Sequence, residues 1–284
     1  MNRRDFLTGA AAGLGAAWIP SNSLAAVFDQ PAQKVQATDT VVLGKTGIRT
    51  SRLAMGTGTV GYGGGSNQTR TGKLVPLLLN GYDNGLRFFD TADGYGSHPQ
   101  VADAIKQLPR DKVVVMTKCD SRDPVQAKAD LERYLRELKT DYIDIALIHC
   151  VTEGDWTTQF RGVMDVFSEA KEKGMIRSHG VSCHSIEALR AAAKSPWVEI
   201  DLVRLNPVGA HMDADPATVI SVIKEMRAQG KGIIGMKILG QGALRNRQDE
   251  AIRFALGTGV LDAFTIGAEN RNEQQDLIRR IAAA

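Results

Sequence analysis

The chain has 284 residues, 43% hydrophobic and 24% charged, an ordinary globular mixture able to bury a sizeable core in one large domain or two small ones. Its net charge of +3, with no basic run interleaved with aromatics, gives no case for a nucleic-acid surface. Cys119, Cys150 and Cys183 are odd in number and widely spaced, with no CxxC. Neither a disulfide framework nor a structural zinc or iron–sulfur site is expected.

Residues 1–26 read MNRRDFLTGAAAGLGAAWIPSNSLAA. Arg3 and Arg4 precede Asp5, Phe6 and Leu7, and a weakly apolar stretch rich in Ala and Gly runs from Phe6 to Ile19 before Pro20. Ser23-Leu24-Ala25 then offers small residues at the positions a signal peptidase reads, completing the order of an export signal. The stretch is too short to span a bilayer, which takes about 20 helical residues. Paired arginines before Phe-Leu make it resemble a bacterial twin-arginine leader, which implies passage through the twin-arginine export machinery to the periplasm. Residues 27–39 read as a polar linker. No other stretch is apolar enough for stable membrane insertion.

From residue 40 short apolar runs alternate with amphipathic ones. Val41 to Ser51 predicts a β-hairpin turning at Gly44-Lys45-Thr46-Gly47. Eight runs follow, at Arg52–Met55, Arg87–Phe89, Val113–Met116, Ile143–Ile148, His179–Val181, Leu202–Leu205, Gly232–Gly235 and Ala263–Ile266, each before a segment of helical spacing. Asp123-Pro124 reads as an N-cap and first helical residue, with Leu131, Leu135 and Leu138 on one face. A second clear helix starts at Pro216 and ends before Gly230. Eight β-then-α units over residues 40–284 predict an α/β fold, a closed (β/α)₈ TIM barrel with an N-terminal hairpin. A doubly wound sheet is the other arrangement, but no GxGxxG follows a strand. Gly63-Gly64-Gly65 lacks the Lys-Ser/Thr of a phosphate loop and reads as a flexible first loop.

Barrel enzymes carry their chemistry at the C-terminal ends of strands. The second strand ends in Asp90 with Tyr95 just beyond, the third in Lys118, the fourth in His149. Each residue alone has an ordinary explanation, as a cap, a solvated lysine or a structural histidine. On three consecutive strands they converge on one mouth.

The segments FFDTADGYG, VVVMTKC and DYIDIALIHC, with GKTGIRTSRLAMGT before them and GMIRSHGVS and GIIGMKILGQG after, resemble the aldo-keto reductases over about residues 40–281. The resemblance implies NADP- or NAD-dependent reduction of a small-molecule carbonyl, or the reverse alcohol oxidation. It implies Tyr95 as proton donor, Lys118 lowering its pKa, Asp90 holding Lys118, and His149 orienting the carbonyl. It places Gly56, Thr57, Asp90, Ser182, Cys183, Arg204, Met236, Lys237 and Leu239 around the nicotinamide half. Gly267, Ala268 and Arg271 fall at the adenosine phosphate. Here the chain departs from the family, with Cys183 for the usual Asn, Arg204 for a frequent Gln and Met236 for a frequent aromatic. Arg271 suits the 2′-phosphate of NADP and Glu269 the bare ribose of NAD; the family's habit favours NADP.

The chain ends at Ala284 without the family's long closing loop, so an open pocket is expected, with Tyr62, His98 and Trp156 as wall residues, Trp156 equally as plain packing. Two other readings stand beside the reductase. One is a metal-dependent hydrolase or lyase built on Asp90, Asp93, His149 and His184, which the charge of Lys118 opposes. The other is an exported nicotinamide-binding sensor or partner subunit without significant turnover.

Overall fold

The computed structural model describes residues 34–61 and 63–284. The leader and Tyr62 lie outside the described residues. No helix among the described residues is long and apolar enough to cross a membrane.

A hairpin of β1 (Thr40–Val42) and β2 (Arg49–Ser51) precedes eight parallel strands. These are β3 (Leu53–Gly56), β4 (Phe88–Asp90), β5 (Val114–Cys119), β6 (Ile143–Val151), β7 (Ile176–Cys183), β8 (Ile200–Arg204), β9 (Gly232–Met236) and β10 (Ala263–Gly267). They pair in sequence order, and β10 closes on β3, with Phe264 opposite Leu53. All eight expected runs are strands, displaced by no more than three residues at an end.

Successive strand residues face opposite sides, so the barrel has two cores. Ala54, Phe88, Met116, Leu147, Leu202 and Ile234 fill the interior, and Leu43 and Ile48 of the hairpin join them. Met55, Phe89, Val115, Ile148, Val203 and Phe264 face outward into the layer beneath the helices. The helix Pro124–Leu138 begins as expected. The Asp123 side chain accepts from the Gln126 backbone N–H at 2.8 Å, and Leu131 and Leu138 are buried. Asp215 caps the helix Pro216–Ala228 in the same way.

The domain begins slightly before residue 40. Ala37 is buried, and its carbonyl accepts from the Leu53 backbone N–H at 2.9 Å. The end of the expected linker is therefore laid against the first barrel strand.

One acid is buried on the outward face of β8. Asp201 is fully inaccessible, its Oδ2 accepts from the Cys183 thiol at 3.2 Å, and its Oδ1 has no partner among the described residues. Burial pushes its pKa up to about 8. An unfolded Asp titrates near 3.9. Its contribution to stability is thus fully present below that value and is lost as pH rises through 8, with a slope of at most about 1.4 kcal/mol per pH unit. Thermal melts from pH 5 to 9 should show wild type losing stability with rising pH and Asp201→Asn losing less. Parallel curves for the two proteins would place the ionisation elsewhere.

Candidate active site

The alternation that builds the interior core also builds the mouth. Two residues beyond Ala54, Phe88, Met116, Leu147, Leu202, Ile234 and Ala263, on the same inward face, stand Gly56, Asp90, Lys118, His149, Arg204, Met236 and Thr265. Ser182 shares that face, because its neighbours Val181 and Cys183 lie in the outer core.

The four expected catalytic side chains meet there. Lys118 is 1% exposed and Asp90 4%. The Lys118 ammonium donates to Asp90 Oδ1 at 2.5 Å and to the Thr91 carbonyl at 2.7 Å. Thr265 Oγ1 donates to Asp90 Oδ2 at 2.7 Å. Tyr95 comes from a one-turn helix, Asp93–Tyr95, just past β4. Its ring centroid lies 4.8 Å from Lys118 Nζ and 6.1 Å from the His149 ring, which meets it edge-on. Gly58 makes room for that ring, since a Cβ there would sit 2.5 Å from it.

Burial pushes the Tyr95 phenol up and outweighs the downward pull of Lys118. The expected lowering is therefore reversed. The ammonium is already matched by Asp90, and the ring is largely out of water. For Lys118, burial works to lower the pKa, but Asp90 and Tyr95 hold it above its ordinary value. Burial holds His149 below its ordinary value, against the pull of Asp120, whose Oδ1 lies 2.7 Å from Nδ1.

The cofactor-side residues divide. Ser182 Oγ is buried and has no partner among the described residues, an orphan polar group of the kind a carboxamide satisfies. Gly56 keeps the backbone low beside Thr265 and Gly267, where a Cβ would come within 3.0 Å of Thr265 Oγ1. Met236 is buried at the rim. Lys237 and Leu239 follow it in the loop, Lys237 with φ +56° and its ammonium pushed down by burial and by Arg204 and Lys118. Arg204 is committed to Asp213, Nε to Oδ1 at 2.9 Å. Two of the expected side chains are engaged elsewhere. The Cys183 side chain faces the outer core and bonds Asp201. The Thr57 hydroxyl is used up on the Asp90 carbonyl at 3.0 Å and on Ser97 at 2.8 Å.

At the adenosine end, Gly267 is exposed, while the Ala268 carbonyl accepts from Gln68 at 3.1 Å. Arg271 is exposed at the first turn of the helix Arg271–Ala283. Glu269 accepts from Asn67 at 2.8 Å. The Glu273 carboxylate accepts from the Glu269 backbone N–H at 2.8 Å and from the Asn270 side chain at 2.7 Å. The helix N-terminus, an anion site by its nature, already holds a carboxylate of its own.

Two wall expectations fail. His98 is 2% exposed and bonded to Glu137 and Thr117, each at 2.8 Å. Trp156 is fully buried, with Nε1 donating to the Ala188 carbonyl at 3.2 Å, so it is a packing residue. The metal set also disperses, because Asp93 is turned away onto Arg133 at 2.7 Å and Tyr134 at 2.9 Å. Among the described residues, Asp93, His98 and Glu137 lie close enough to hold an ion, but Arg133 bonds both acids there.

Three contributors were missed in the sequence: Asp120, Gly58 and Thr265. Asp120 carried a signal, as an acid two residues past Lys118 at a strand end. Gly58 and Thr265 carried none beyond their place near strand ends.

The NADH-specific methylglyoxal reductase of Escherichia coli is 27% identical over 188 residues, 58% of this chain. The matched part spans 57% of that relative's length. An uncharacterised oxidoreductase of Bacillus subtilis is 31% identical over 217 residues, 69% of each chain. The holo form of an aldo-keto reductase from Bacillus halodurans superposes with a TM-score of 0.71 at 18% identity, covering 87% of this chain and 92% of that one. Residues 54–273 match the Aldo/keto reductase family, and the chain belongs to it.

Proposed function

We propose that the chain interconverts small carbonyl compounds and their alcohols with a nicotinamide cofactor, and the cluster of Tyr95, Lys118, Asp90 and His149 at one mouth carries that reading. Ser182, Gly56, Met236 and Lys237 would hold the nicotinamide half, and the bound cofactor would supply or accept the hydride. Tyr95 protonates the oxygen that becomes an alkoxide, and Lys118 stabilises the charge that develops there. The Escherichia coli relative's name points to short 2-oxoaldehydes, which makes methylglyoxal the first substrate to try beside 4-nitrobenzaldehyde.

Tyr95→Phe keeps the ring and removes only the proton. Single-turnover cofactor oxidation should slow by about two to four powers of ten, with folding and cofactor affinity retained. Lys118→Met should be as slow and also less stable by about 3–5 kcal/mol, because it strands a buried carboxylate. The two losses should not add, since both disable one proton-delivery unit. A Tyr95→Phe rate above about a third of wild type would end this assignment.

Arg271 suits NADPH, whereas Glu269 and Glu273 set two carboxylates where its 2′-phosphate would lie. We place NADH ahead of NADPH on that balance. Titrations should show NADH bound more tightly. Glu273→Gln should narrow the difference, and Arg271→Ala should weaken NADPH more than NADH. Tighter NADPH binding by wild type would reverse the assignment.

We also propose twin-arginine export to the periplasm, from Arg3-Arg4-Asp5-Phe6-Leu7. Changing both arginines to lysine should leave precursor in the cytoplasm. Normal trimming and export of that variant would rule the pathway out.

A further inference from the structure

His149 has two ring nitrogens, and which one carries the proton decides what the mouth can bind. Its Nδ1 lies 2.7 Å from Asp120 Oδ1, and its Nε2 makes no hydrogen bond among the described residues. Burial works to raise the Asp120 carboxyl, but the hydrogen bond with His149 and the nearby Arg122 and Lys118 hold it below its ordinary value. An ionised carboxylate only accepts, so the proton between them is on Nδ1. A neutral His149 then offers Nε2 as a bare acceptor beside Tyr95.

We propose that Asp120 is a positioning residue that fixes the Nδ1–H tautomer of His149, making Nε2 the base for the Tyr95 proton and fitting the mouth to a hydroxyl compound rather than a carbonyl one. This rests on the reading of the site as an alcohol–carbonyl oxidoreductase.

The hydrogen-bond inventory carries it. With an alcohol in place, every donor has one acceptor: substrate O–H to Tyr95 Oη, Tyr95 O–H to His149 Nε2, His149 Nδ1–H to Asp120. With a carbonyl, the single Tyr95 proton faces two acceptors, the carbonyl oxygen and Nε2, and one goes unmet. In alcohol oxidation a bound oxidised cofactor would accept the hydride of the substrate C–H bond. The hydroxyl proton moves to Tyr95 Oη, and the Tyr95 proton moves to Nε2. His149 ends as imidazolium between Asp120 and Tyr95, and charge and protons balance. Reduction runs the same path backward from the imidazolium.

The charged surroundings are consistent with a neutral resting ring. Lys118 on the neighbouring strand end opposes a second proton on His149, while Asp120 and Asp90 favour it, and Arg122 donates to the His149 backbone carbonyl. His184, whose ring centroid is 6.3 Å away, is pushed down to about 3 and stays neutral. Asp120 stands more than half open to water, so its charge is screened. Its main effect is to place a proton rather than to raise the basicity of the ring.

The test starts from the tautomer, which needs no turnover. The chain has five histidines, so long-range nitrogen–proton spectra of the full chain, with His149→Gln for assignment, identify the His149 pattern. Wild type should carry the proton on Nδ1 at pH 7.5, and Asp120→Asn, whose amide can donate, should move it to Nε2. The kcat/KM for 4-nitrobenzyl alcohol should fall on the acid side with an inflection below 6.5, absent in His149→Gln and at still lower pH in Asp120→Asn. At pH 7.5 Asp120→Asn should lose about one to two powers of ten with the alcohol, while its cofactor affinity holds. An Nε2–H tautomer in wild type, or an Asp120→Asn variant unchanged in tautomer and inflection, overturns the proposal. Absence of all turnover by wild type would count against the proposed function, and the tautomer spectrum would still decide the role of Asp120.

Discussion

The site depends on a buried ion pair. Lys118 and Asp90 lie at adjacent strand ends with almost no exposure, one ammonium against one carboxylate. Removing two such ions from water costs several kcal/mol each, which their attraction offsets only when every remaining lone pair and proton is met. Here the second carboxylate oxygen is met by Thr265 and a second ammonium proton by the Thr91 carbonyl. Apolar residues of similar volume would stabilise the same place as well or better, so the pair is better explained by chemistry than by folding. It also ties β4, β5 and β10 together at the mouth, which fixes where Tyr95 can stand. Asp90 offsets part of the ammonium's pull on the tyrosine, and burial outweighs what remains.

Much of the fold was readable because one period does two jobs. Phe88, Met116 and Leu147 are apolar and inward, and two residues on the same face come Asp90, Lys118 and His149. The same parity would have excluded Cys183, since neighbours in a strand face opposite ways and Ser182 already takes the mouth. Other features lay outside any period. The Thr57 hydroxyl is consumed by Ser97 and the Asp90 carbonyl, a pairing 33 and 40 residues away in sequence. His98 looks like a mouth residue from its place after Tyr95, but the helix it begins carries it under the loop to Glu137. Asp120 stood in plain sight, yet its partner depends on the stagger between β5 and β6. No single-strand pattern reports that stagger.

The two ends of the expected cofactor track differ in kind. At the nicotinamide end, positions come from strands whose register is set by the closed ladder, so Ser182 and Gly56 are where parity puts them. At the adenosine end they come from a loop and a helix start, where side chains satisfy one another first. Glu273 caps the backbone of Glu269, and Asn67 reaches from a distant segment to hold the Glu269 carboxylate. A sequence reading that weighs Arg271 against Glu269 alone misses both partners, and with them the sign of the local field.

A tyrosine whose pKa is raised is still a competent acid. In the proposed reduction the oxygen it would protonate becomes an alkoxide, far more basic than any phenolate, and a raised pKa would keep the proton on Tyr95 until the alkoxide forms. The reverse reaction is the harder one, since it needs a base and a dry phenol is a poor one. On the proposed reading these roles divide by access to water. Tyr95 sits on the buried Lys118–Asp90 floor, while His149 lies against a carboxylate whose other side is open to solvent. On that reading protons would exchange with bulk water through the wet pair without hydrating the dry one. That separation keeps the electrostatics under the reacting carbon strong, because water admitted there would screen them.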